Sequence, residues 1–137
     1  MLKTFLSIIA LSFSVSACQL ISPLITNYNG VRMDVAHYIN HNRSFSLKER
    51  AILVEYAKAQ QQITAWQRLS PEQQMTLAEQ RWIGRWCSEQ KIAAKKLDLV
   101  DAQIFADVSA QQKWRLLQAQ QADLKLDVKE INCVGKF

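Results

Sequence analysis

Apolar side chains recur along most of this chain at steps of three and four residues, which is the period of an amphipathic α-helix. The clearest series predicts a helix from about Leu47 to Leu69 and consists of Ile52, Tyr56, Ala59, Ile63 and Trp66. A shorter series from Val31 to Asn40 predicts a first helix, which ends before a polar run. Each apolar stripe must be buried against another element.

Two local motifs mark where helices begin. In the segment from Ser46 to Glu49, the serine can accept a hydrogen bond from a first-turn amide while the glutamate reaches back to the serine amide. Ser70 is followed by Pro71 at the first helical position, where the missing amide has no cost. Gln73 lies three residues after Ser70. These motifs predict helix starts at about residues 47 and 71.

The helix that begins at Pro71 is predicted to run to about Leu97 and carries two tryptophans one turn apart. Its apolar stripe consists of Met75, Ala78, Trp82 and Trp86, with Ile83 and Cys87 beside it. Two interpretations stay open. The stripe is part of the core, or Trp82, Ile83 and Trp86 form an exposed aromatic surface for a partner protein or lipid headgroups.

The C-terminal third is less regular. A short helix is predicted by Leu97, Val100, Ile104, Phe105 and Val108. Ser109 is a candidate N-cap for a last helix that ends at about Ala122, and residues 123–134 fit a helix or a strand. Because no proline follows Pro71 and glutamine is abundant, we expect an all-α fold, a small bundle of four to five short helices.

The first 18 residues have the plan of a secretory signal. Lys3 gives a positive start, and the segment from Thr4 to Val15 is mostly apolar and uncharged. Its length of about a dozen residues is below the roughly 20 that a permanent membrane-spanning helix needs. The sequence Val15-Ser16-Ala17-Cys18 resembles the lipobox of bacterial lipoproteins.

This resemblance implies cleavage between Ala17 and Cys18 and acylation of Cys18, which would make membrane lipid the first partner. Two or three acyl chains together hold a protein almost permanently. In enteric-type lipoproteins an aspartate after the cysteine retains the protein in the inner membrane, whereas Gln19 stands here. The expected location is therefore the periplasmic face of the outer membrane. An ordinary secretory signal followed by an incidental cysteine is the alternative.

The chain then divides into a signal peptide (1–17), a lipidated tether (18–30) and a helical periplasmic domain (31–137). The formal net charge is +5, and the basic residues are spread along the chain. A solvated surface is the expected interpretation, and a patch for anionic lipid or a partner is the alternative. Export excludes nucleic acid as a partner.

With Cys18 assigned to lipidation, Cys87 and Cys133 remain. Because exported chains meet an oxidising compartment, we expect one disulfide between them, and two free thiols are the alternative. The bridge would staple the C-terminal tail to the tryptophan-bearing helix, and residues 131–134 would cover part of the tryptophan stripe. Neither cysteine has the spacing of a redox or zinc motif.

The sequence offers little for catalysis. Asp34, His37 and His41 could share a helix face as metal ligands, but no second segment supplies an obvious fourth ligand. There is no glycine-rich phosphate loop and no nucleophile elbow. We expect a protein that is not an enzyme, without catalytic residues, metal or cofactor.

The lipid anchor, the size, the helix count and the disulfide are together similar to the helical pilotins of secretion systems, which carry a secretin to the outer membrane by binding a segment of it in a groove between helices. The resemblance implies an adaptor that binds another envelope protein and assists its assembly or localisation. A structural envelope or lysis-type lipoprotein is a second hypothesis. An inhibitor or immunity lipoprotein is a third.

Overall fold

The structure is a computed structural model that describes residues 27–28 and 30–136. The described residues form five α-helices, which are α1 (Met33–His41), α2 (Leu47–Gln60), α3 (Pro71–Glu89), α4 (Ala94–Ile104) and α5 (Val108–Ala122). A short antiparallel pair precedes them, with β1 (Asn27–Tyr28) joined to β2 (Val31–Arg32) through Gly30 at positive φ. The predicted all-α bundle with one disulfide is confirmed.

Both predicted helix starts are confirmed by reciprocal hydrogen bonds. Ser46 Oγ accepts from the Glu49 amide at 3.3 Å, and the Ser46 amide donates to the Glu49 carboxylate at 2.8 Å. Ser70 and Gln73 make the same two bonds at the start of α3. Each motif satisfies amides of the first helical turn that have no partner within the helix.

The helix predicted over residues 47–69 changes its winding part-way. It is α-helical only to Gln60 and continues as a 3-10 helix over Gln61–Arg68. In a 3-10 helix every third side chain lies in one row. Ile63 and Trp66 are buried at that spacing, and the 3-10 helix packs against α5.

The helix predicted from residue 71 to about 97 is wrong in its length. α3 ends at Glu89, and α4 begins at Ala94 after a break. Within the break, the Ile92 amide bonds to the Ser88 carbonyl at 2.9 Å and the Ile92 side chain enters the core. The break lets α4 turn back and pack its apolar side chains against α1 and α2.

The last helix also begins earlier than predicted. Its N-cap is Asp107, whose carboxylate accepts from the Ala110 amide at 2.8 Å, and not Ser109. After Ala122, residues 123–134 form neither of the two elements that the sequence left open. The tail contains a 3-10 turn over Val128–Glu130 and is otherwise irregular.

Helix α2 lies at the centre of the bundle, in contact with α1, α3 and α4, while α5 packs on α3. The core side chains nearest complete burial include Val35, Ile39, Leu53, Tyr56, Ile63, Leu97, Val100, Ile104 and Leu117. The face that α3 buries differs from the predicted stripe, since it carries Leu77, Ala78, Arg81, Gly84, Cys87 and Ser88. Of the predicted stripe itself, Ala78 is buried and Met75 is 39% exposed.

Candidate functional site

A cavity of about 690 Å³ lies between α2, α3, α4 and α5. Its polar lining comes mainly from the arginines of α3, the aspartates of α4 and the glutamines of α5. Its apolar lining includes Trp82, Phe105 and Trp114. The exposed Asp98, Arg115 and Gln118 also belong to the lining, so the cavity reaches the protein surface.

A buried hydrogen-bond network joins three helices at one wall of this cavity. The Tyr56 hydroxyl of α2 lies 2.9 and 2.8 Å from the two carboxylate oxygens of Asp101 in α4. Arg85 of α3 donates from Nη1 to Asp101 Oδ2 at 2.9 Å and also contacts the Tyr56 oxygen at 3.3 Å. Two further bonds join Arg85 to Asp98 at 2.8 Å and to Glu89 at 2.6 Å.

The electrostatics of this network follow from burial and charge. Burial raises the pKa of Asp101 to about 6, although the Tyr56 hydrogen bond and the charge of Arg85 act in the opposite direction. Burial and the neighbouring Asp101 carboxylate raise the pKa of Tyr56. Burial lowers the pKa of Arg85, but its hydrogen bonds to Glu89, Tyr56 and Asp98 outweigh this and the pKa is raised. Arg85 therefore stays charged and pairs with the acidic side chains of the cavity.

Arg81, on the buried face of α3, has a different environment. The residue is only 3% exposed, and its Nη1 donates to the Ala59 carbonyl at 3.1 Å and to the Gln60 carbonyl. Among the described residues, Nε and Nη2 of Arg81 have no hydrogen-bond partner and no carboxylate lies within ion-pair distance. Its guanidinium carbon lies 5.9 Å from the centroid of the Phe105 ring. Burial lowers its pKa to about 10.

Aromatic rings line two sides of the cavity. Phe105 and Trp114 stack with centroids 5.4 Å apart and planes inclined by 12°. Trp82 lines the cavity and stacks on Trp86, with centroids 5.9 Å apart. The three residues predicted as a partner surface are Trp82, Ile83 and Trp86, and all of them are partly buried. Their exposure is therefore intermediate between a core stripe and a fully exposed aromatic surface.

The disulfide predicted between Cys87 and Cys133 is present, with Cα atoms 5.4 Å apart. It attaches the tail to α3 one residue after Trp86. The side chain of Val134 is 87% exposed, and the expectation that residues 131–134 cover part of the tryptophan stripe stays a prediction. The turn after Cys133 directs this side chain to solvent. The predicted cleavage and lipidation residues, Ala17 and Cys18, lie outside the described residues.

The candidate metal ligands near the start of the domain have other contacts. Both carboxylate oxygens of Asp34 accept hydrogen bonds from Arg32, at 2.9 and 2.7 Å. The rings of His37 and His41 stack with centroids 3.9 Å apart. Within residues 30–136, no group of three or more histidine, cysteine, aspartate or glutamate side chains is placed to hold a metal ion.

Sequence reasoning missed the polar residues of the cavity, although a signal was present. Arg81 occupies a helical position three and four residues from Ala78 and Leu77, on the side that α3 buries. Asp101 lies four residues after Leu97 and three before Ile104, on the buried side of α4. Burying a charged residue within an apolar stripe is costly unless the charge is paired or hydrogen-bonded, so such a position calls for an explanation. That test, applied to each stripe, would have selected both residues.

Comparison with protein-family models, curated proteins and solved structures finds no significant match to this chain. The described residues also include no helix that is long and apolar enough to cross a membrane.

Proposed function

We propose that this chain is an outer-membrane-anchored lipoprotein that binds another envelope protein and assists its assembly or localisation, as a pilotin-like adaptor. The observation that carries the binding part of this proposal is the cavity between α2, α3, α4 and α5. It combines aromatic walls with polar groups that have unused hydrogen-bonding capacity, which is the composition of a recognition site. The anchoring part depends on the lipobox at Cys18.

The adaptor role agrees with how the cavity is built. Tyr56, Arg85 and Asp101 satisfy one another across three helices, so one wall is preorganised without a ligand. A preformed site loses little conformational entropy when a partner binds. The same mutual satisfaction leaves these groups without a free nucleophile or base, which favours binding over catalysis.

Capture of partners from detergent-solubilised envelope tests the binding site. Full-length Trp82→Ala should lose a partner that the wild-type protein retains, because Trp82 lines the cavity. Leu116→Ala is the control, since Leu116 is an exposed apolar residue outside the cavity lining. Equal capture by wild type and Trp82→Ala would contradict the proposed site. Thermal unfolding of both variants checks that each is folded.

Metabolic labelling with a palmitate analogue tests the anchor. The wild-type protein should be labelled and Cys18→Ser should not be, because acylation requires the Cys18 sulfur. Gln19→Asp should move the protein toward the inner membrane in an enteric host, as measured by density-gradient fractionation. Label that persists in Cys18→Ser would exclude the lipoprotein assignment.

A further inference from the structure

Arg81 carries a buried positive charge that the described residues do not pair. A buried cation without a counter-ion is costly, and proteins normally pair such groups or provide them with hydrogen-bond acceptors. Here two carbonyl oxygens satisfy Nη1 alone. Arg81 belongs to the cavity lining, and three of the five N–H bonds of its guanidinium, one on Nε and two on Nη2, have no partner among the described residues.

The two unpaired nitrogens are the ones that matter for recognition. The single N–H bond of Nε and one N–H bond of Nη2 point in the same direction along one edge of the guanidinium. This edge matches the two oxygens of a carboxylate, which can accept both bonds at once. The free edge of Arg81 is therefore complementary to a carboxylate group.

The other charges of the cavity do not compete for that ligand. Arg85 uses Nε, Nη1 and Nη2 for Glu89, Asp101 and Asp98, so both aspartates of the lining are already paired. The lining holds three arginines against these two carboxylates. Arg115 adds a further positive charge at the exposed part of the lining. The net field in the cavity therefore favours an anion.

The remaining lining indicates what carries the anion. Trp82, Phe105 and Trp114 offer apolar area, while Gln60 and Gln118 offer amide groups that match a peptide backbone. An acyl chain of a lipid would desolvate these amides without replacing their hydrogen bonds. The lining thus favours a peptide over a lipid.

We infer that the cavity binds a segment of the partner protein in which an aspartate or glutamate stands next to an apolar side chain, with the carboxylate paired to Arg81 and the apolar side chain between the aromatic rings. This inference rests on the proposed adaptor function and specifies the chemistry of the partner. In this arrangement the aromatic rings supply affinity through apolar contact, and Arg81 supplies specificity for the acidic residue.

Two peptide pools test this assignment on the full-length protein in detergent micelles. Every peptide in the first pool is capped at both ends and carries one central glutamate flanked by leucine, phenylalanine or tryptophan. The second pool has glutamine in place of the glutamate. Tryptophan fluorescence and the Nε–H resonance of Arg81 report binding. The glutamate pool should half-saturate the protein at a concentration at least about tenfold lower, the gain expected from hydrogen bonds between charged groups.

Variants of two arginines test whether the difference between the two peptide pools depends on Arg81. Arg81→Met should abolish the difference between the pools, whereas Arg68→Met should retain it, because Arg68 is an exposed arginine outside the cavity lining. If Arg81→Met does not fold, the comparison of the two pools on wild-type protein still tests whether the cavity prefers an acidic segment. Equal binding of both pools, binding of neither at millimolar concentration, or a difference that survives Arg81→Met would each overturn the inference.

A titration with an anionic lipid tests whether the cavity binds lipid instead of a peptide. Phosphatidylglycerol titrated into the micelles should not shift the Arg81 resonance, and a shift with phosphatidylglycerol but none with the peptides would overturn the assignment. A negative result in the peptide titrations does not by itself contradict the proposed adaptor function. A partner captured through Trp82, together with equal pools, removes only the acidic-segment inference.

Discussion

Removal of the Cys87–Cys133 disulfide should strongly destabilise the domain. The two cysteines are separated by 46 positions, so the bridge closes a large loop in the unfolded chain. On the chain-entropy relation, a loop of this size corresponds to about 4 kcal/mol of stability at 25 °C. For a domain of this size that is a fall in Tm of about 15–20 °C.

Thermal unfolding followed by circular dichroism measures this loss, in Cys87→Ser/Cys133→Ser and in wild-type protein with and without reductant. Val134→Ser is the control for the tail, since Val134 is exposed and its replacement leaves the bridge intact. The double variant should be unaffected by reductant. A loss of less than about 1 kcal/mol would refute the reasoning, because the unfolded chain would then be restrained by something other than the bridge.

Three further changes address the core and the buried network. Tyr56→Phe removes the hydroxyl that donates to Asp101 and should lower the free energy of unfolding by about 1–3 kcal/mol in urea titrations, whereas Tyr38→Phe, whose hydroxyl has no hydrogen bond within residues 30–136, should be nearly neutral. Equal effects would contradict the network. Because the folded pKa of Asp101 is about 6, above its ordinary value of 3.8, its contribution to stability is fully present below pH 3.8 and is lost as the pH rises through 6. Asp101→Asn should therefore flatten the decline of stability between pH 4 and 7, by at most about 3 kcal/mol, and parallel pH profiles for the two proteins would exclude the raised pKa. Leu117→Ala should cost about 2–5 kcal/mol in the same urea titrations while its exposed neighbour Leu116→Ala changes little, and similar losses would show that α5 does not contribute its Leu117 face to the core.

Features that depend on a few neighbouring residues could be predicted from the sequence. The motif from Ser46 to Glu49 closes within four residues, and its hydrogen bonds do not depend on the rest of the fold. The disulfide followed from the number of cysteines once Cys18 was set aside. The all-α class followed from apolar periodicity and from the scarcity of helix-breaking residues.

Features decided by long-range packing could not be predicted in this way. The break between α3 and α4 contains neither proline nor glycine, and its residues have ordinary helix propensity, so only the tertiary position of Ile92 explains it. The face that α3 buries was misassigned because a tryptophan contributes apolar area even when half-buried. The partners in the network, Tyr56 and Asp101, are 45 residues apart in the chain.

The candidate site was only partly foreseen. Trp82 was identified from its size and position, and it lines the cavity. Arg81 was not, because a lysine or arginine in a helix is normally solvated and its burial depends on how α2, α3 and α5 converge. Polar residues within apolar stripes are thus the most informative positions that the sequence analysis passed over.

The change of winding after Gln60 also sets the geometry of the wall that Ile63 and Trp66 contribute. Eight residues of 3-10 helix advance about 16 Å, compared with about 12 Å for an α-helix, and they turn the chain through about 160° more. One continuous segment can thus face α3 and α4 along its first half and α5 along its second half. Over-winding takes the place of a loop here, and the length of the 3-10 stretch sets the direction in which the Trp66 side chain points.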